Sequence, residues 1–160
     1  NPLVIKSLKS LIQALDDNET TRELGIACTN PLEIAGDKLS ALCWRVLAYG
    51  KILPKDVTFI RHLHDLTALK PLIDENIEEF NKSVNIAMTV DSTSRGRRRQ
   101  TMKHLSNTER LTMAVSLLSQ EAYRNAYERY VTRVSYQDED RRISYDDALD
   151  ALKSIVAFLR

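Results

Sequence analysis

The chain has 160 residues, of which 43% are hydrophobic and 28% charged, and a formal net charge of +1. That is enough apolar material for one substantial core in an ordinary globular protein. No run approaches the roughly 18 apolar residues of a membrane span and no charged-then-apolar leader opens the chain; Cys28 and Cys43 are too few for a disulfide framework or a zinc site, so reduced thiols in a cytoplasm are expected.

In chain order, Leu8, Leu11, Ile12 and Leu15 stand at helical spacing within residues 2–16, and Asp16, Asp17 and Asn18 break the pattern. This predicts a first helix. Leu24, Ile26 and Cys28 then alternate with smaller residues, which predicts a short strand.

A second helix is predicted to start after Asn30, with Pro31 in the first turn, where a missing N–H costs nothing. Its buried face is Leu32, Ala35, Leu39, Leu42, Cys43 and Val46. Lys38 and Arg45 lie seven residues apart on another face, about 10 Å along the axis, with Ile34 and Ala41 beside them. Two cations among small apolar residues either snorkel over an apolar surface or line a cleft.

Gly50 and Pro54 close this helix, and the next buries Phe59, Ile60, Leu63, Leu66 and Leu69. Arg61, His64, Asp65 and Ala68 are predicted to point the other way. Arg61 and Asp65 have the spacing of a surface ion pair, worth about 0.3 kcal/mol, and His62 and His64 flank the same turn. Beyond Pro71, Ile73, Ile77, Phe80, Val84 and Met88 predict a further helix with an acidic first turn.

Residues 91–106 are the sharpest shift in composition. Arg95, Arg97, Arg98, Arg99 and Lys103 stand against the single Asp91, with Gly96 at the centre. Guanidinium groups pair with phosphate oxygens bidentately, so this stretch suits a phosphate backbone; a solvated loop explains it equally well. No aromatic residue is interleaved, so base stacking is not implied.

Asn107 or Thr108 is predicted to cap a helix with Leu111, Val115 and Leu118 inside and Met113 and Leu117 on its flank. Tyr123, Tyr127, Tyr130 and Val134 continue the stripe through the next helix, and read as core with hydroxyls in water rather than as a stacking platform. Ser144 caps the last helix, with Asp147 at its third position and Ala148, Leu149, Leu152, Ile155, Val156 and Leu159 on its apolar face. There is no internal repeat. The expected fold is mainly α, a bundle of about six helices with at most one or two short strands: residues 1–30 a connecting segment, residues 31–160 the helical domain.

The run EIAGDKLSALCWR at 33–45, followed by RHLHDLTAL at 61–69, resembles the closing motifs of the AbiEii/AbiGii toxin family of nucleotidyltransferases, in the polymerase-β-like superfamily. The resemblance extends from about residue 20 to the C-terminus, and its specific part is residues 31–70. It implies that Lys38 binds an NTP triphosphate, that Arg45 and Arg61 also belong to the nucleotide site, and that Asp65 completes the catalytic site with Lys38. Asp65 would orient Lys38 or Arg61, in preference to receiving the proton of the attacking hydroxyl. Some members read Arg-Asp where this chain has Arg61-His62, so no role passes to position 62.

The resemblance further implies Mg2+ as cofactor, an RNA or tRNA acceptor held by Arg95, Arg97, Arg98, Arg99 and Lys103, a cognate antitoxin, and a bacterial cytoplasmic protein without a membrane. The chain contains no Gly-Ser dipeptide and no Asp-x-Asp after a strand-like run; Asp138-Glu139-Asp140 lies in a polar stretch. The expectation is therefore the C-terminal half of an α+β nucleotidyltransferase, inactive alone, its Mg2+ held mainly by residues outside it. The competing reading is a non-catalytic helical binding module whose basic loop meets an acidic partner or nucleic acid.

Overall fold

The side chain of Asn30 starts the longest helix by accepting a hydrogen bond from the Leu32 N–H at 2.9 Å, with Pro31 in the first turn as its fixed φ favours. Helix α1 (Pro31–Tyr49) ends at Gly50, whose φ of 60° suits a residue without a Cβ. The computed structural model describes residues 3–8, 24–54, 57–93, 102–134 and 142–159.

Two strands precede α1. β1 (Leu3–Leu8) and β2 (Leu24–Thr29) pair antiparallel, Leu3 opposite Thr29 and Leu8 opposite Leu24. β2 agrees with the alternation at Leu24, Ile26 and Cys28. β1 corrects the helix expected over 2–16: the adjacent β-branched Val4 and Ile5 favour an extended backbone, and pairing with β2 outweighs the helical spacing that began at Leu8. Leu11, Ile12 and Leu15 lie outside the described residues.

After α1, a 3-10 turn (Thr58–Ile60) leads directly into α2 (Arg61–Glu75), followed by α3 (Ile77–Ser92), α4 (Asn107–Leu118), α5 (Glu121–Val134) and α6 (Tyr145–Ala157). The mainly α class with six helices and two short strands is as expected. α1 is the central rod: α3, α2 and α4 pack around it, α2 also packs on α6, and α5 covers the 3-10 turn and α6. Every residue predicted for the buried face of α1 is at most 4% exposed, and Phe59, Ile60, Leu63 and Leu66 join the same core. No helix among the described residues is long and apolar enough to cross a membrane.

Two boundaries differ from the sequence reading. α2 runs through Pro71 and stops at Asn76, so Ile73 belongs to it rather than to the next helix. Pro71 is exposed, Ile73 is fully buried, and Asn76 satisfies the helix end by donating to Leu72 O and Ile73 O; burying Ile73 outweighs the one backbone bond that proline removes. The cap of α4 is Ser106, one residue before those proposed, in a reciprocal capping box with Glu109. The hydroxyls of Tyr123 and Tyr127 are not in water either: Tyr123 donates to Gly50 O at 2.8 Å and Tyr127 to Ile143 O at 3.2 Å, and Tyr145 of α6 likewise donates to Leu118 O. A buried phenol needs an acceptor, and free carbonyls at helix and loop ends supply it. The cap of α6 is Ser144 bonding to the Asp147 N–H, as the sequence predicts.

α1 and α3 approach closely at Gly36. A Cβ there would lie 2.9 Å from the Ser83 carbonyl carbon and 3.0 Å from its Cβ, closer than two packed backbones tolerate. Gly36→Ala is expected to destabilise the protein by about 1–3 kcal/mol, seen as a lower urea midpoint with an unchanged slope; an unaltered midpoint contradicts this packing.

Candidate functional site: a cationic wall on the first two helices

Two charged side chains meet where α1 crosses α2. Lys38 Nζ donates to Asp65 Oδ2, and the side chains are 24% and 30% exposed, so the pair is half-withdrawn from water. Helical spacing explains who stands nearby. Arg45, two turns along α1 from Lys38, and Arg61, one turn before Asp65, are both exposed. The i, i+4 ion pair expected between Arg61 and Asp65 does not form; Asp65 reaches across to the other helix instead.

His62 sits within this group. Burial, then the positive charges of Lys38, Arg61 and Arg45, push its imidazole down to about 4, with Asp65 opposing. At neutral pH it is therefore an uncharged ring among three cations. Its Nδ1 is shut off from solvent and has no hydrogen-bond partner. Tyr130 of α5 feels two of the same charges: burial raises its phenol, as does the Asp65 carboxylate, while Arg61 lowers it.

The outward direction predicted for His64 is corrected. Its ring lies 6.4 Å from that of Tyr127 and 6.2 Å from that of Tyr130, and its Nε2 is buried without a partner. Two tyrosines of α5 reach this flank of α2, a fact no local period contains.

Of the predicted site residues, Lys38, Arg61, Asp65 and Arg45 thus all act electrostatically on one imidazole. Lys103 is exposed and stands outside that group, just before α4. Arg95, Arg97, Arg98 and Arg99 lie outside the described residues, as does Asp138-Glu139-Asp140. One open groove, of about 800 Å3 between Pro54, Val57 and the Asn125–Arg133 side of α5, does not include Lys38 or Asp65.

Two residues escaped the sequence reading. Tyr130 was assigned to the core stripe, and nothing in its spacing marks the flank facing Asp65. Arg110 looks solvated by type but is only 6% exposed. Its guanidinium lies 5.1 Å from the centre of the Trp44 ring and donates to Met102 O, Lys103 O and Asn107 Oδ1 at 3.1, 3.3 and 2.9 Å. It ties the C-terminal end of the basic stretch to α1. Ser40 donates to Asp91 at 2.6 Å, which fixes the other end. Cys43, between them, is raised to about 12 by burial, which Asp91 reinforces and Arg110 opposes, so its thiol is inert.

The described residues do not fit Mg2+. No three His, Cys, Asp or Glu among them cluster as metal ligands, and Asp65, the carboxylate of the wall, is bonded to Lys38 and faces cations. A hard dication needs several oxygen ligands in near-octahedral array. An ammonium and two guanidinium groups suit the opposite partner, a phosphorylated ligand.

Comparison with known families agrees with a phosphate-handling class. Residues 1–151 match the family described as nucleotidyl transferase AbiEii toxin, type IV TA system. The chain belongs to this family, which places it among nucleotidyltransferase toxins of type IV toxin–antitoxin systems and implies a cognate antitoxin. No curated protein and no solved structure gives a significant match.

His62 gives the site a measurable pH signature. An imidazole held near 4 in the fold and near its ordinary value of about 6.5 in the unfolded chain takes up its proton first when unfolded. Its contribution is therefore lost as pH falls from about 6.5 towards about 4, by about 1–2 kcal/mol after discounting its solvent-exposed part. Urea titrations at about pH 7 and pH 4.5 are expected to show a smaller acid loss in His62→Gln than in the wild type. Equal losses contradict a buried, cation-flanked imidazole.

Proposed function

We propose that the wall of α1 and α2 binds the triphosphate of an NTP, and that the protein transfers the nucleotide to an RNA acceptor, such as a tRNA, in the cytoplasm, where both reactants are found. The observation that carries this reading is the Lys38–Asp65 pair, half-buried between two helices with Arg45 and Arg61 beside it.

Transfer is an in-line attack of an acceptor hydroxyl on the α-phosphorus. The new O–P bond forms as the bond to the β-phosphate oxygen breaks; pyrophosphate leaves, and the hydroxyl proton passes to solvent. Lys38 supplies a compact charge to the triphosphate without the fixed fork of a guanidinium. Arg45 and Arg61 extend that charge along the wall. Asp65 holds the Lys38 ammonium in place before the ligand arrives, so less side-chain freedom is lost on binding. Arg95, Arg97, Arg98, Arg99 and Lys103 hold the RNA backbone, and Arg110 positions the end of that stretch. No Mg2+ ligand is assigned to these residues.

In the full-length protein that supplies the expected Mg2+-binding residues, Lys38→Ala is expected to reduce transfer of labelled nucleotide to RNA by about 10²-fold or more while thermal denaturation still reports a folded protein. Wild-type transfer by that variant refutes the proposal. Absence of thermal stabilisation by every NTP tested favours a binding module instead.

A further inference from the structure

We infer that His62 is a further ligand-binding residue of this site: a neutral donor that gives a hydrogen bond from Nε2–H to a non-bridging phosphate oxygen of the bound nucleotide. The inference rests on the reading of Lys38 as the triphosphate lysine and adds a residue to that pocket.

Three observations lead to it. The ring stands in the first turn of α2, one turn before Asp65, and the charges it feels are Lys38 and Arg45 from α1 and Arg61 and Asp65 from its own helix. Its Nδ1 is sealed from solvent without a partner. Nε2 is not sealed in that way and makes no hydrogen bond among the described residues.

A neutral imidazole carries its proton on one nitrogen only. A proton on Nδ1 would bury an N–H with nothing to receive it, the rarer and more costly kind of orphan; a bare Nδ1 merely leaves a lone pair unused. A proton on both nitrogens would add a fourth cation beside Lys38, Arg45 and Arg61. The remaining form has Nε2–H, uncharged, with an unused donor at the edge that reaches solvent. The ligand drawn to three cations is a polyanion, and its oxygens are acceptors. A neutral donor adds a directed bond there without adding to the repulsion among the cations in the empty site.

Inorganic tripolyphosphate, which has neither base nor ribose, is the probe, and its binding to the full chain is measured by calorimetry at about pH 7. Gln places its amide N–H2 near the position of Nε2, whereas Asn places it near Nδ1. His62→Gln is expected to bind within about threefold of the wild type and His62→Asn about tenfold more weakly.

His62→Asn binding as tightly as the wild type overturns the inference. Lys38→Ala separates the two levels. If it binds like the wild type, the triphosphate pocket itself falls; if it loses binding while His62→Asn does not, only the role of His62 falls. Should His62→Asn fold poorly, long-range proton–nitrogen NMR on the wild type decides: an Nε2–H ring whose shifts move with tripolyphosphate supports the inference, and an Nδ1–H ring overturns it.

Discussion

Gly36 lets α1 and α3 touch backbone to backbone, and that contact fixes the axis on which α2 and α4 are stacked. A side chain at this crossing would push the two helices apart and loosen the packing of Val84 and Met88 against the α1 face. With the contact in place, α1 is buried along most of its circumference. The strip left over carries Lys38 and Arg45, and α2 brings Arg61, His62 and Asp65 to its edge. The candidate site is thus a by-product of how tightly one rod is wrapped.

Electrostatics then make that strip unusual. One half-buried cation, Lys38, and two exposed ones, Arg45 and Arg61, act on the same stretch as one carboxylate, and the imidazole that feels them stays uncharged because of its burial and because a further positive charge there is unfavourable. A surface ion pair alone adds little stability. The same logic explains why these residues offer no metal site: Asp65 already neutralises Lys38, and the other neighbours repel a dication.

A second polar network lies on the far side of α1. Arg110 on Trp44 and Ser40 with Asp91 hold both ends of the stretch that contains the arginine cluster. These are hydrogen-bonded side chains whose loss would leave carbonyls unsatisfied, so they anchor the described residues on either side of the cluster through packed contacts and need not touch a ligand themselves.

Much of this was legible in the sequence because it is local. Helix spacing, the Asn30–Pro31 start, the Ser144 cap and the apolar face of α1 depend on neighbours within a few residues, and the chain states them outright. The motif around Lys38 and Asp65 likewise named residues that the fold brings into contact. Other features depend on partners tens of residues away: β1 as a strand beside β2, Ile73 drawn into α2 past Pro71, Arg110 sealed against Trp44, His64 turned to Tyr127 and Tyr130. Asp65 is the clearest case. Its spacing fits Arg61 on the same helix, and only the crossing of α1 over α2 decides for Lys38. The sequence by itself determined which residues share a helical face; which face meets which was decided by tertiary packing, because burial and charge pairing between distant segments are set by the whole core and not by any local period.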